Sequence, residues 1–190
     1  MKTSRLEAFS DGVMAIIITI MVLEFETPDS PELAALASLL PSILSYIISF
    51  VFIGIYWNNH HHLLHAAEKI SGSTLWLNLN LLFWLSLIPF ATAWMDEQHF
   101  SSVPVALYGF ILFMCALSYF LIRNEISRHQ SSNSILRRDD GSNRKMFLSL
   151  ALQFLGIILS LSYSLIAVLL YVLSALLWVV PEEKIEKSFK

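Results

Sequence analysis

The chain has 190 residues, of which 56% are hydrophobic and 14% are charged, and its formal net charge at pH 7 is −3. Soluble domains carry about 25% charged residues, so this composition excludes an ordinary soluble protein and predicts an integral membrane protein. The single cysteine, Cys115, excludes an intramolecular disulfide. No long linker or low-complexity tract divides the chain, so we expect one membrane domain over residues 1–190 and no nucleic-acid partner.

Six hydrophobic spans predict an all-α membrane protein, because in lipid only helices or closed barrels satisfy their backbone hydrogen bonds. The spans are, in chain order, 4–24, 36–58, 74–95, 102–123, 145–161 and 164–180. The second is followed by the segment WNNHHHLLH, and its helix is expected to continue to about Ala67. A polar loop over residues 123–145 separates the fourth span from the fifth.

The distribution of basic residues predicts the orientation. In a six-span topology all twelve lysines and arginines fall on one side of the membrane. The charged residues in the loops on the opposite side are all acidic. Because basic residues favour the cytoplasmic side, both termini are expected in the cytoplasm, with the protein in the inner (plasma) membrane.

The first helix has an unusual composition for a membrane span. Only twelve residues, 12–23, are uncharged in succession, whereas a lipid-exposed helix needs about 20 apolar residues. The span therefore includes Phe9, Ser10 and Asp11. Because charged side chains normally face a bundle interior or water, we expect this helix to lie centrally.

One face of the first helix is a smooth apolar stripe. At about 100° per residue, Gly12, Ile16, Thr19, Ile20 and Leu23 share this face. Asp11 points about 140° away from Ile16 on the same helical geometry. Ordinary helix packing with a hydrogen-bonded acid explains this pattern, and so does a pore lining; periodicity alone favours the packing interpretation.

The motif Arg5-x-x-x-Phe9-Ser10-Asp11, followed by Gly-x-x-Ala-Ile-Ile-x-Thr and Glu24, adds a specific resemblance. It resembles the first-helix signature of the transmembrane-protein-175-type (FSD-motif) potassium channels, in particular their prokaryotic single-repeat members. Supporting features are Trp57 followed by a histidine cluster, and an asparagine-rich third span that ends in Pro-Phe.

The resemblance implies a homotetramer of six-helix subunits with the first helix around a central pore. It implies an apolar constriction or gate at Ile16, Ile20 and Leu23, with Thr19 as a selectivity layer. These are also the residues of the apolar stripe, an agreement that favours the pore interpretation. The TVGYG filter of ordinary potassium channels is absent. We therefore expect a passive, potassium-preferring cation channel, not an enzyme, with no cofactor and with K⁺ and other monovalent cations as permeant ions.

The resemblance also implies a network that fastens the pore helix to the second and third spans, with a structural or gating role. Its members on the first helix are Arg5, Phe9, Ser10 and Asp11. Their expected partners are Trp57, His60, His61, His62, Asn78 and Asn80.

Two alternatives remain open. In a proton-coupled secondary transporter, Asp11 and the histidines would titrate during turnover. A membrane metalloenzyme would use His61 and His65, whose i,i+4 spacing suits a shared metal. No cysteine or second histidine pair supports such a site, so no metal is expected. Separately, Gly109 and Gly156 are predicted to permit close helix contacts.

Overall fold

The computed structural model describes residues 3–25, 27–28, 30–67, 69–130 and 140–179. Residues 131–139 of the polar loop before the fifth span and the polar C-terminal tail lie outside the described residues, as do half of the basic residues that predict the orientation. The end of the sixth predicted span, at residue 180, also lies outside them.

Within the described residues, every regular element is helical, which confirms the all-α prediction. The α-helices are α1 (Thr3–Met21), α2 (Leu40–His65), α3 (Gly72–Ser86), α4 (Ile88–Glu97), α5 (Ser102–Arg128), α6 (Asp140–Ser160) and α7 (Ser164–Val179). Short 3₁₀ segments, Val22–Glu24 and Leu33–Leu39, follow α1 and precede α2. With α3 and α4 taken together, the described residues form six helical segments.

The third span is divided into two helices, where the sequence predicted one. The helix is interrupted at Leu87, and α4 begins at Ile88 with Pro89 in its first turn. Proline has no N–H group and its ring excludes the carbonyl four residues earlier, so an uninterrupted helix through Pro89 is disfavoured. By contrast, α2 runs without a break through the histidine cluster to His65, which places those side chains on a helix surface.

Four segments within the described residues are long and apolar enough to cross a membrane. They are Thr3–Glu24, Leu40–His65, Gly72–Glu97 and Ser102–Arg128. A fifth apolar helix, Ser164–Val179, is shorter.

The centre of the single chain is α5 and not α1. In the apolar stretch of α5, 56% of the residues are buried, against 28% for the first helix. Helix α5 packs against α3, α4, α6 and α7, whereas α1 packs on one side against α2, α3 and α4. The expectation of a central first helix therefore does not hold within one subunit, where α1 lies at the edge of the bundle.

Gly109 in α5 and Gly156 in α6 both contact the ring of Tyr171 in α7. A Cβ atom added at Gly109 would overlap the Tyr171 hydroxyl and ring, and one added at Gly156 would overlap the same ring. Tyr171 is fully buried, and its hydroxyl donates to the Val105 carbonyl at 3.3 Å. The two glycines therefore form a slot for this ring between three helices.

The Gly109→Ala substitution is expected to destabilise the subunit by about 1–3 kcal/mol, the usual cost of overpacking a filled core. The Tyr171 ring is fully buried, so it cannot move aside without displacing its neighbours. Gly54→Ala in α2 is the matched control, because a Cβ atom there meets no heavy atom within 4 Å. Thermal unfolding of the purified protein measures the difference; equal melting temperatures for the two variants would contradict the slot.

Candidate pore helix and its anchoring network

Helix α1 has two chemically different faces. The face toward the bundle is buried and consists of Leu6, Ser10, Met14, Ile17 and Met21. The opposite face is exposed and follows an alternating spacing of four and three residues: Arg5, Phe9, Gly12, Ile16, Thr19 and Leu23. Ile16 is 59% exposed and Leu23 is 78% exposed in the single chain. We call this exposed set the α1 stripe.

The predicted pore residues all lie on or beside the α1 stripe. Ile20, at its edge, is 40% exposed. The Thr19 hydroxyl donates within its own helix, 3.0 Å from the Ala15 carbonyl and 2.9 Å from the Ile16 carbonyl. Because its hydrogen is directed at the backbone, the hydroxyl oxygen remains available as an acceptor on the exposed face.

A fully buried hydrogen-bonded chain joins α2, α3 and α1. The Asn78 amide donates to Ser10 Oγ at 3.0 Å, and the Ser10 hydroxyl donates to the Leu6 carbonyl at 2.9 Å. Asn78 Oδ1 lies 2.7 Å from His60 Nε2. Since Oδ1 is an acceptor, His60 carries its proton on Nε2. His60, Asn78 and Ser10 are all 0% exposed, so each depends on the others for its hydrogen bonds.

A second pair of contacts joins α1 to α2 beside this chain. The Trp57 indole N–H donates to Asp11 Oδ1 at 2.9 Å, and His61 Nδ1 lies 2.7 Å from Glu7 Oε1. Residues 7 and 11 are one turn apart on α1, as are residues 57 and 61 on α2, so the antiparallel helices match turn for turn. The Trp57 and His61 rings stack with centroids 6.1 Å apart. The sequence interpretation omitted Glu7, although its i,i+4 spacing from Asp11 was a usable signal.

The other expected network residues are placed elsewhere. Arg5 and Phe9 belong to the α1 stripe, and Phe9 is 52% exposed. The Asn80 amide donates to Ser118 Oγ in α5 at 2.7 Å. The His62 ring contacts the His61 ring, with centroids 5.5 Å apart. His65 stacks on His61 at 6.0 Å, but the described residues contain no group of three or more side chains arranged to hold a metal ion.

Comparison with known proteins identifies the family. The sequence profile described as endosomal/lysosomal potassium channel TMEM175 matches residues 5–89. A protein of Chryseobacterium sp. (strain P1-3), named as a potassium channel, is 50% identical over 100% of this chain and 99% of its own length. The mouse protein named endosomal/lysosomal proton channel TMEM175 is 29% identical over 69% of this chain and 30% of its own length.

A solved structure agrees with these sequence relatives. The crystal structure of a lysosomal potassium-selective channel TMEM175 homolog from Chamaesiphon minutus matches with a TM-score of 0.66 and 28% identity. The match covers 90% of this chain and 97% of the other. These matches confirm the family that the sequence analysis predicts. This multi-pass membrane protein belongs to the TMEM175 family of potassium channels.

Proposed function

We propose that the chain forms a homotetrameric, potassium-preferring cation channel in which α1 of each subunit lines a central pore. The observation that carries this proposal is the α1 stripe. A single chain bonds one face of α1 to α2 and α3 and leaves the opposite face exposed. Apolar residues at alternating spacings of three and four are the pattern by which helices associate around a shared axis.

Conduction through this pore depends on an apolar neck. Four copies of Ile16 around the axis, continued by Ile20 and Leu23, would exclude water when the neck is narrow and so gate the pore by dewetting. When the neck widens, an ion still sheds part of its hydration shell. K⁺ holds its water less tightly than Na⁺, so the neck favours K⁺. The Thr19 oxygen, with its hydrogen directed at the backbone, supplies an acceptor for the partly dehydrated cation.

The anchoring network has a structural or gating role in this proposal. Ser10 and Asp11 are held by Asn78 and Trp57 on the side of α1 that faces the subunit, so neither is expected to coordinate the permeant ion. Arg5 and Phe9 continue the α1 stripe toward the N-terminus. In the tetramer they would contact neighbouring copies of α1 or the pore entrance.

The excess of basic residues on one face supports cytoplasmic N- and C-termini in the cell's inner membrane. The partners of the chain are then three further copies of itself, the lipid bilayer and the permeant K⁺, together with other monovalent cations. No cofactor is proposed.

The two alternatives receive less support. The family consists of ion channels, which confirms the prediction that the chain is not an enzyme. A proton-coupled transporter would use Asp11 and the histidines to exchange protons during turnover, whereas the relatives are named as channels. Because a vertebrate relative is named as a proton channel, proton flux is a necessary measurement in the test.

The test is potassium flux through the purified protein in liposomes. We expect passive K⁺ efflux down its own gradient, faster than Na⁺ efflux and independent of any imposed proton gradient. Light scattering of the solubilised protein should give four times the mass of the 21.6 kDa chain. K⁺ movement only when a Na⁺ or proton gradient is imposed would favour the transporter, and a monomeric mass with full flux would contradict the central pore.

A further inference from the structure

A second polar feature lies away from α1, in a cavity of about 30 Å³ between α2, α5, α6 and α7. On α2 its wall consists of Phe52, Ile55, Tyr56 and Asn59, which share one helical face by their 3–4 spacing. Trp57 lies about 160° from Asn59 around this helix. The cavity is therefore on the side of α2 opposite the contact with α1, separate from the anchoring network.

Gln153 in α6 lines this cavity and is 1% exposed. Its amide nitrogen donates to Ser174 Oγ at 3.3 Å, and the Ser174 hydroxyl donates to the Tyr171 carbonyl at 2.7 Å. Its amide oxygen has no hydrogen-bond partner among the described residues. Buried acceptors in apolar surroundings normally accept a hydrogen bond from the protein or from a bound molecule. We therefore expect a donor for this oxygen that the described residues do not provide.

The size and lining of the cavity restrict the donor. One water molecule needs about 10–15 Å³ of such space, so about 30 Å³ admits two waters or a molecule of a few heavy atoms. The twelve lining residues are apolar or neutral polar, with no charged side chain among them. An ion would lose its hydration here without compensation, and an aromatic or lipid ligand is too large.

We propose that this cavity is a binding site for a small neutral O–H donor, either water or a short-chain alcohol, whose hydrogen is accepted by Gln153 Oε1. Aromatic and aliphatic side chains such as Phe52, Trp178 and Ile55 surround the rest of the molecule. The site lies on the side of α2 that faces away from α1, so it is separate from the proposed pore.

Crystals of the full chain test the proposal, with 2-bromoethanol as the probe and bromoethane, which lacks the hydroxyl, as its matched control. Without additive, an ordered water is expected about 2.7–3.2 Å from Gln153 Oε1. After soaking at equal concentration, the bromine anomalous signal in the cavity is expected to be about fivefold stronger for 2-bromoethanol, the factor given by one net hydrogen bond. In Gln153→Met, which keeps the length of the side chain and removes its acceptor, both probes should give the same signal.

The outcomes separate the two sources of the hydroxyl. Ordered water without a bromine signal would assign the site to water alone, whereas water displaced by 2-bromoethanol would extend it to alcohols. Detectable bromine signals of equal strength from both probes in the unsubstituted chain would overturn the proposal, because the acceptor would then contribute nothing. Hydrocarbon density in the cavity, a protein donor on Gln153 Oε1, or an empty cavity would overturn it as well. If Gln153→Met fails to fold, the comparison of 2-bromoethanol with bromoethane in the unsubstituted chain still tests whether the cavity binds a hydroxyl.

Discussion

The Ile16→Asn substitution is expected to raise the potassium leak of the closed channel by at least about tenfold, which corresponds to lowering the conduction barrier by about 1.4 kcal/mol. Ile16 is 59% exposed on the α1 stripe, so four copies would form the apolar neck of the proposed pore. An amide at this level binds water, and a hydrated neck no longer gates by dewetting. Fluorescent K⁺ flux from liposomes at equal protein density measures the change.

Ile158→Asn is the matched control for this experiment. Ile158 in α6 is 52% exposed, close to the exposure of Ile16, and the chemical change is identical. It lies on a helix that the proposal places away from the pore, so its leak should equal that of the unsubstituted channel. An unchanged leak in Ile16→Asn, or an equal increase in both variants, would contradict a constriction at Ile16.

The faces of α1 could be predicted from the sequence because helical periodicity is a local property. The 3–4 spacing of Gly12, Ile16 and Thr19 defines one face whatever surrounds the helix, and the structure leaves that face exposed. The position of α1 within the bundle depends on which helices pack together. Hydropathy does not encode this, so the central position of α5 was not predicted.

The two asparagines of the third span lie on nearly opposite faces of α3. The sequence predicts both Asn78 and Asn80 as members of the network around Ser10 and Asp11. Two helical residues that are two positions apart in sequence differ by about 200° in direction, so these side chains face nearly opposite sides. Asn78 accordingly bonds to Ser10, whereas Asn80 bonds to Ser118 in α5. The cavity beside Gln153 was not predictable, since it arises where four helices meet.

Asn78→Leu is expected to lower the free energy of unfolding of the subunit by about 3 kcal/mol, because the buried His60 N–H loses its acceptor, at about 1–3 kcal/mol, and Ser10 loses one of its two hydrogen bonds, at about 1 kcal/mol. The substitution removes the acceptor of the His60 N–H and the donor to Ser10, both fully buried. For a chain of this length the melting temperature should fall by roughly 6–12 °C. Differential scanning fluorimetry in detergent, followed by size-exclusion chromatography, measures stability and tetramer content together.

Asn80→Leu is the matched control, because it removes an asparagine from the same helix without touching the hydrogen bonds to His60 and Ser10. Its amide bonds to Ser118, whose hydroxyl keeps a bond to the Met114 carbonyl at 2.7 Å, so the loss should be at most about 1 kcal/mol, the usual net worth of one hydrogen bond.

The double variant Asn78→Leu with His60→Leu should recover part of the stability, because no imidazole then remains unsatisfied. Ser10 still donates to the Leu6 carbonyl at 2.9 Å in that background. A double variant less stable than Asn78→Leu alone would mean that His60 holds α2 through contacts other than Asn78, and the anchoring of α1 would then rest on the Trp57–Asp11 and His61–Glu7 pairs.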